Sequence, residues 1–170
     1  MFDTPSLEVR FAQPYVAIAT AVTMDGFGVV EGLTDEVVAW IEAQGAVRAG
    51  ASFVRIVTSD MSSELDIEVG VPVDAPPPGD DRFLIGEIPT GSYVTLIYGV
   101  TEEHDHYQAN VELQAWATSQ GMKWAIDSEG DVEVWRGRFQ LFRADLSTEG
   151  RPVFELIYKV AENSSSYVSS

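Results

Sequence analysis

Apolar residues in the first part of the chain follow two periods, one typical of strands and one typical of a helix. Residues 15–23 are rich in Val, Ile and Ala with Thr, which predicts a buried strand. Thr34-Asp35-Glu36 predicts the start of a helix, because an apolar stripe over residues 37–41 follows it and Gly45 ends it. Polar turn residues then separate two further predicted strands, at 53–58 and 66–73.

The same order of elements returns in the second part of the chain. The apolar pattern predicts a strand, a helix and two strands, at 92–101, about 103–120, 132–142 and 153–160. One additional predicted strand opens each part, at 6–12 and 82–88.

Matching residues indicate that this repeated order is an internal duplication. The run that begins at Tyr15 returns at Tyr93, an offset of 78 residues. The pattern Ala-Trp-x-x-x-Gln-Gly begins at Ala39 and again at Ala115, an offset of 76 residues. Both parts also end alike, in 68–73 and 155–160. Shared order with a nearly constant offset favours duplication over a chance likeness between elements of the same type.

The duplication divides the chain into two half-repeats, at about 6–73 and 82–160. The stiff, acidic and proline-rich segment 74–81 links them, and the serine-rich tail 163–170 is expected to be frayed. Because a unit of about 80 residues buries its own sheet and helix poorly, residues 1–170 are expected to form one domain. The predicted fold is α+β: two β-α-β-β units related by a pseudo-twofold axis, with antiparallel sheets and two main helices around a central cleft.

Composition excludes several classes of function. The formal net charge of −17, from 27 acidic and 10 basic residues, opposes autonomous binding to nucleic acid and favours cations near the surface. The chain has no cysteine and two histidines, which excludes thiol chemistry and disfavours histidine-based metal sites. The N-terminal residues lack the pattern of a secretory signal, and no apolar run is long enough to span a membrane. We therefore expect a cytoplasmic protein.

The duplication, the tryptophan-bearing helices and the strand at Glu133 resemble the GyrI-like small-molecule-binding family. This family comprises the effector-binding domain of multidrug-responsive transcription regulators and stand-alone gyrase-inhibitory proteins. The resemblance covers about residues 6–161. In the family, a glycine is followed three residues later by a Glu-x-Tyr strand, and Gly130 to Trp135 match it with tryptophan replacing tyrosine. The family's last strand, Thr-Glu-hydrophobic-Tyr before Pro-Val, is matched loosely by 153–160, which lacks the Thr and the Pro.

The resemblance implies an aromatic pocket for hydrophobic, often cationic, molecules, with the glutamate of the Glu-x-Tyr strand facing the ligand. Some members of similar fold are hydrolases that open strained cyclopropane-containing toxins, so Glu133 is a catalytic candidate if this chain is a hydrolase. Trp135 replaces a tyrosine and removes a phenolic proton donor, which weakens the transfer of that catalytic role. Aligning Gly50 with Gly130 makes Phe53 the first-half counterpart of Glu133.

Alternation along the strand places Glu133 and Trp135 on one face. A carboxylate beside an indole suits a flat cation, since the ring adds a cation–π attraction of about 0.5–2 kcal/mol. From periodicity alone, the alternative is a half-exposed strand with the glutamate facing solvent; the resemblance favours the pocket. Tyr158 either lines the pocket or belongs to the core. The remaining ligand-binding candidates are Phe53 and two residues that flank the entrance to the second helix, Tyr98 and Tyr107.

Other motifs have simpler interpretations. His104-Asp105-His106 is interpreted as a solvated helix start, because side chains two positions apart on a helix face apart and acids are favourable at its N-terminus. Trp40 and Trp116 lie on helix stripes and are expected in the core. Glu155 is expected to be solvated or paired with Lys159. No metal site and no cofactor are predicted.

Three functions remain open at this point. The leading hypothesis is a stand-alone binder of small hydrophobic, drug-like and cationic molecules, acting by sequestration or as a sensor. The second is a hydrolase of strained electrophiles in which Glu133 activates water. The third is an interaction module whose acidic surface binds a basic protein partner, such as a topoisomerase subunit.

Overall fold

The computed structural model describes residues 4–23, 26–59, 64–101, 105–129 and 132–161. These residues form ten strands, two α-helices and one 3-10 turn: β1 (Ser6–Arg10), β2 (Gln13–Thr23), the 3-10 turn (Phe27–Val29), α1 (Val30–Ala43), β3 (Phe53–Ser59), β4 (Glu64–Pro72), β5 (Leu84–Ile88), β6 (Gly91–Gly99), α2 (His106–Ser119), β7 (Ile126–Glu129), β8 (Val132–Trp135), β9 (Arg138–Phe142) and β10 (Val153–Lys159).

All ten strands belong to one curled antiparallel sheet, and the α+β fold class is confirmed. Its main order is β1-β6-β10-β9-β3-β4-β2-β5, and the β7–β8 hairpin joins it through β3. α1 packs on β2 and β4, and α2 packs on β6. The face of the sheet that these helices cover is called the helix face below. Because β3 and β9 pair in the middle of the sheet, the two parts of the chain meet there.

The two opening strands are exchanged between the parts. β1, which precedes β2 in the chain, pairs with β6. β5, which precedes β6, pairs with β2. Each part therefore completes the sheet of the other, and the hydrogen bonds of these edge strands tie the two parts together.

The two helices match each other as the offset of 76 residues requires. α1 and α2 both contain 14 residues, and their first residues are Val30 and His106. Gly45 and Gly121 follow them at equivalent positions with backbone φ angles of 73° and 72°. A positive φ is costly for residues with a Cβ atom, so both helices end on the residue type that this conformation favours.

The strand registers extend the match through the sheet. Tyr15 lies opposite Pro72, and its counterpart Tyr93 lies opposite Lys159, so β4 corresponds to β10 with an offset of 87 residues. In the same way Phe53 opposite Gly70 matches Phe139 opposite Ile157, so β3 corresponds to β9. The offset from Phe53 to Phe139 is 86 residues. By this offset Val54 and Gln140 are counterparts, and they pair with each other. The pseudo-twofold axis therefore passes between Val54 and Gln140.

The structure corrects one predicted helix boundary and one predicted correspondence between the two parts. α1 begins at Val30, not after a cap at Thr34. The Thr34 hydroxyl instead donates 2.8 Å to the carbonyl of Val30 inside the helix, as threonine often does within a helix. The prediction that Phe53 is the first-half counterpart of Glu133 was also wrong. Phe53 corresponds to Phe139 because the β7–β8 hairpin is an addition of the second part.

The predicted strand 132–142 is two strands, broken at Arg136 and Gly137. A Cβ atom on Gly137 would lie 2.8 Å from Cβ of Lys159, so the chain can pass this point only as glycine. The break changes the phase of alternation. Trp135 packs in the cluster under α2, whereas Phe139, four residues later, packs in a different cluster.

The face opposite the helices has its own core and its own ion pairs. Tyr15, Phe53, Tyr93 and Phe139 pack there with Ile157. On the same face, Glu155 is only 5% exposed and accepts hydrogen bonds from three side chains: Arg10 at 3.0 Å, Arg143 at 2.8 Å and Thr95 at 2.6 Å. The expectation that Glu155 is solvated or paired with Lys159 was therefore wrong, because two arginines from β1 and the end of β9 reach it.

The linker and the helices agree with the sequence in other respects. Residues 74–83 contain neither strand nor helix. Trp40 and Trp116 pack against core clusters, as expected from their helix stripes. Within the described parts of the chain, neither helix has the length and apolar character required to cross a bilayer.

Candidate functional site

Aromatic side chains gather on the helix face of the second part of the sheet. Tyr158 is fully buried, and its ring centroid lies 5.1 Å from that of Trp124 and 5.4 Å from that of Trp135. Phe154, four residues before Tyr158 on β10, stacks on Tyr98 with ring centroids 6.0 Å apart. These five residues are called the aromatic cluster below: Tyr98, Trp124, Trp135, Phe154 and Tyr158. They come from four segments of the sheet and lie beside α2.

α2 supplies polar side chains to this cluster. His106 Nδ1 lies 2.7 Å from the Tyr98 hydroxyl, and the His106 ring meets the Phe154 ring edge-on with centroids 4.7 Å apart. The Tyr158 hydroxyl donates to the side-chain oxygen of Asn110, one turn further along the helix. Asp105 starts α2 by accepting a hydrogen bond from the backbone N–H of Gln108 at 3.0 Å.

Burial favours the uncharged forms of these polar groups. It raises the pKa of Tyr98 and of Tyr158 well above the usual value of a tyrosine. It lowers the pKa of His106, an effect that the nearby charge of Asp105 partly opposes. The site therefore offers neutral hydroxyl and imidazole groups as hydrogen-bond partners.

β9 contributes one charged and one neutral polar side chain to the same region. The guanidinium carbon of Arg138 lies 4.5 Å from the Trp135 ring centroid and 4.9 Å from the Tyr158 ring centroid, which is cation–π geometry. Gln140 lies at the pseudo-twofold axis, and its side-chain oxygen is 3.5 Å from the Tyr98 hydroxyl. A cation thus packs directly on two rings of the aromatic cluster.

The structure brings together three of the six predicted ligand-binding residues. Trp135 and Tyr158 are in ring contact, and Tyr98 belongs to the same buried core cluster. Tyr158 is fully buried in this core cluster, and its contact with a ligand stays a prediction.

The other three predicted residues lie elsewhere. Phe53 is buried on the opposite face, with Tyr15 and Phe139. Tyr107 is on α2 but 74% exposed. Glu133 is exposed at the edge of the cluster: it pairs with Ser59, whose hydroxyl accepts a 3.3 Å hydrogen bond from Nε1 of Trp135.

Sequence reasoning missed Arg138, Gln140, His106 and Asn110. Arg138 and Gln140 alternate with buried Phe139 and Leu141, a signal for a strand with one polar face. The break at Gly137 hid which face that was, because treating 132–142 as one strand puts Trp135 and Phe139 in phase. Among residues 4–23, 26–59, 64–101, 105–129 and 132–161, no group of three or more His, Asp or Glu is placed to hold a metal ion.

No protein-family model matches this sequence, and no curated protein matches it at the level of sequence. Solved structures do match its fold. The C-terminal domain of EcmrR superposes with a TM-score of 0.69, at 12% identity, over 93% of this chain and 97% of that one. SAV2435 bound to tetraphenylphosphonium superposes with a TM-score of 0.57, at 11% identity, over 94% of both chains.

A hydrolase from Listeria innocua superposes with a TM-score of 0.61, at 9% identity, over 93% of this chain and 92% of that one. These likenesses define the class of the fold: it is the GyrI-like fold, as the duplication and the helix tryptophans suggested. At identities near 10%, they show the shared fold and leave the ligand to be argued from the side chains of this chain.

Proposed function

We propose that this protein binds small hydrophobic molecules at the aromatic cluster, as a sensor or by sequestration. The observation that supports this most is the aromatic cluster itself: five rings and several uncharged hydrogen-bonding groups converge beside α2. Ligand pockets have this composition, mostly apolar and aromatic with few polar groups. SAV2435, which has the same fold, was solved with tetraphenylphosphonium, an ion with four phenyl rings.

We also propose that the whole described chain acts as one binding domain made of two half-repeats. The exchange of β1 and β5 supports this, because neither half-repeat has a complete sheet without the other. The linker at 74–81 would then be an internal connection of this domain.

The proposal is tested by calorimetric titration with a panel of aromatic ions and neutral aromatics, starting with tetraphenylphosphonium. Two variants replace a tyrosine of the cluster by the residue at the matching position of the first half. They are Tyr98→Thr, after Thr20, and Tyr158→Val, after Val71. We expect saturable binding by the native chain and at least about ten-fold weaker binding by each variant, since buried aromatic anchors dominate binding energy. Trp40→Phe, in the other part of the molecule, is the matched control and should bind normally. Absence of binding by any compound contradicts the proposal.

The cationic preference expected from the sequence would depend on Glu133. Its support is the position of Glu133 beside the Ser59–Trp135 hydrogen bond, together with the acidic surface. If Glu133 contacts a cationic ligand, Glu133→Gln should weaken tetraphenylphosphonium binding about five-fold or more and leave neutral ligands unaffected. Equal affinities of the variant and the native chain for the cation would remove Glu133 from the site.

A hydrolase is the second candidate, and the Listeria innocua hydrolase of similar fold supports it. A general base needs a pKa set by its surroundings, and burial is the common means. Glu133 is exposed, so the substrate itself would have to cover it. Incubation with cyclopropane-bearing electrophiles, followed by mass spectrometry, tests this. Ring-opened product that disappears in Glu133→Gln supports a hydrolase, and unchanged substrate after long incubation contradicts it.

Binding of a basic protein partner to the acidic surface is the third candidate. Its support is the net charge of −17. Such binding should weaken steeply as salt rises from about 0.05 to about 0.5 M, because exposed charges are screened. Binding at the aromatic cluster should change little over the same range, which separates the two modes.

A further inference from the structure

We propose that Arg138 determines the charge of the ligand, so that the aromatic cluster prefers anionic or neutral aromatic molecules over cationic ones of the same shape. This inference rests on the proposed function, because it concerns the same site. It differs from the expectation based on Glu133 and the acidic surface, which favours cations.

The guanidinium group of Arg138 lies over two rings of the aromatic cluster. Its central carbon lies within 5 Å of the ring centroids of both Trp135 and Tyr158. A cationic ligand would gain most by stacking on those same two electron-rich rings. Arg138 therefore already occupies the place that a cationic ligand would take. Such a ligand must displace this side chain or lie next to a like charge.

Neutral polar side chains lie with Arg138 on the helix face. Gln140, on the same face of β9, offers a neutral amide at the pseudo-twofold axis. The Tyr98–His106 pair and the Tyr158–Asn110 pair are neutral as well. The Tyr158 hydroxyl and the Asn110 amide already donate within the cluster, to Asn110 and to the His106 carbonyl. The side-chain N–H groups of Gln140 are therefore the neutral groups that can donate to an anionic oxygen or to a polar edge of a neutral ring. Together with a guanidinium group, they form a set of donors suited to an acidic aromatic molecule.

The acidic surface and Arg138 act on a charged ligand at different distances. Most of the acidic residues lie on the surface, and at about 0.1 M salt their fields are screened over roughly 10 Å. Arg138 is half-buried against the rings and is screened less. The acidic surface therefore changes how fast and at which salt concentration an ion arrives, whereas Arg138 acts on the ion once it is bound.

The experiment uses two ions of nearly identical shape and opposite charge, tetraphenylborate and tetraphenylphosphonium. Each is titrated into the native chain by calorimetry in sodium buffer at about 0.05 M and about 0.5 M salt, so that the surface contribution can be removed. We expect tetraphenylborate to bind at least about ten-fold more tightly at the higher salt concentration.

Three variants identify the residue responsible. Arg138→Met keeps an apolar stem over the rings without the charge, and we expect the ratio of the two affinities to fall to about one or to reverse. Arg138→Lys keeps the charge and should keep the preference, which guards against a variant that merely misfolds. Arg136→Met is the matched control: it removes one positive charge two residues away, from an exposed side chain that pairs with Asp127, and should leave the ratio unchanged.

The outcomes are distinct. If the native chain binds tetraphenylphosphonium as tightly as tetraphenylborate or more tightly, the inference is overturned and the proposed function stands. A preference for tetraphenylborate that survives in Arg138→Met also overturns it. If neither ion nor any neutral aromatic binds, the proposed function itself fails.

Discussion

The two halves of the helix face have matching strands and helices but different side chains. Counterparts on matching strands differ as follows, with the first-half residue named first: Thr20 and Tyr98, Val54 and Gln140, Ile67 and Phe154, Val71 and Tyr158. The first half is packed mainly with aliphatic side chains, and Phe27 and the stacked pair of Trp40 and Phe83 are its aromatic members. The second half replaces them with aromatic rings and hydrogen-bonding groups.

The difference shows how a duplicated fold can separate stability from binding. Aliphatic side chains pack densely and without directional requirements, so the first half can serve as a scaffold. Rings with polar edges pack less uniformly, and each polar group needs a partner. The second half also has the β7–β8 hairpin, which contains Trp135 of the cluster and has no equivalent among the described residues of the first half.

The largest expected effect concerns the scaffold. Ile41, buried on α1, corresponds to Ala117 on α2. Ile41→Ala leaves a cavity and should lower the free energy of unfolding by about 2–5 kcal/mol, measured by urea denaturation. Affinity for aromatic ions should stay within about two-fold, because the cluster lies in the other half. A parallel loss of affinity would show that the two halves do not divide the tasks.

A surface substitution on α2 provides the control for this experiment. Val111 is about half exposed on the helix that borders the cluster. Val111→Ala should change the free energy of unfolding by no more than about 0.5 kcal/mol. A large effect at this position would mean that α2, and not α1, dominates stability.

The next effect concerns the starts of the two helices. The Asp105 side chain caps α2, whereas α1 has no side-chain cap. Asp105→Ala should therefore destabilise the protein by about 0.5–2 kcal/mol. Asp35→Ala, in the segment that the sequence suggested as the cap of α1, should have an effect below about 0.5 kcal/mol. Equal effects in thermal or urea unfolding would contradict the helix starts described above.

The smallest effect is a dependence on pH that only the second half should show. The pKa of His106 is lowered in the folded protein, so the unfolded chain takes up the proton more readily as pH falls. The stability from neutral His106 is complete above about pH 6.5 and is lost as pH falls through the lower, folded-state pKa. Its first-half counterpart, Val30, does not titrate.

Urea unfolding between about pH 7.5 and pH 5.5 measures this effect. The native chain should lose stability over this range, and His106→Gln should lose less. His104→Gln is the matched control, because it removes the other histidine of the chain. An identical dependence in the native chain and in His106→Gln would show that burial of His106 is not its source.

The repeated pattern of the sequence was enough to predict the fold. The offsets from Tyr15 to Tyr93 and from Ala39 to Ala115 anticipated the matching strands and the two helices of 14 residues. A local signal was also enough for the end of α1, because Gly45 was predicted to stop the helix and has a backbone φ of 73°. The sequence did not predict that β1 pairs with β6 and β5 with β2, because strand exchange depends on contacts between distant parts of the chain.

The site was predicted only in part, for a specific physical reason. Of the residues in the proposed site, Trp135, Tyr158 and Tyr98 were candidates from the sequence because aromatic residues on predicted strands are visible there. Arg138 and Gln140 were missed because the strand breaks at Gly137, and a break there reverses which residues face α2. Phe53 was misplaced by the same hairpin, which made β8 look like the counterpart of β3.

The most direct test of the central claim, that the ligand site lies in the second half, uses the tryptophan indoles as reporters. The chain has four tryptophans, and their N–H signals can be followed by NMR during titration with tetraphenylborate. Trp135 and Trp124 are in the aromatic cluster, whereas Trp40 stacks on Phe83 in the first half with ring centroids 4.7 Å apart. We predict that the signals of Trp135 and Trp124 shift on binding and that the signal of Trp40 does not. A shift of Trp40 with no change at Trp135 would contradict the account.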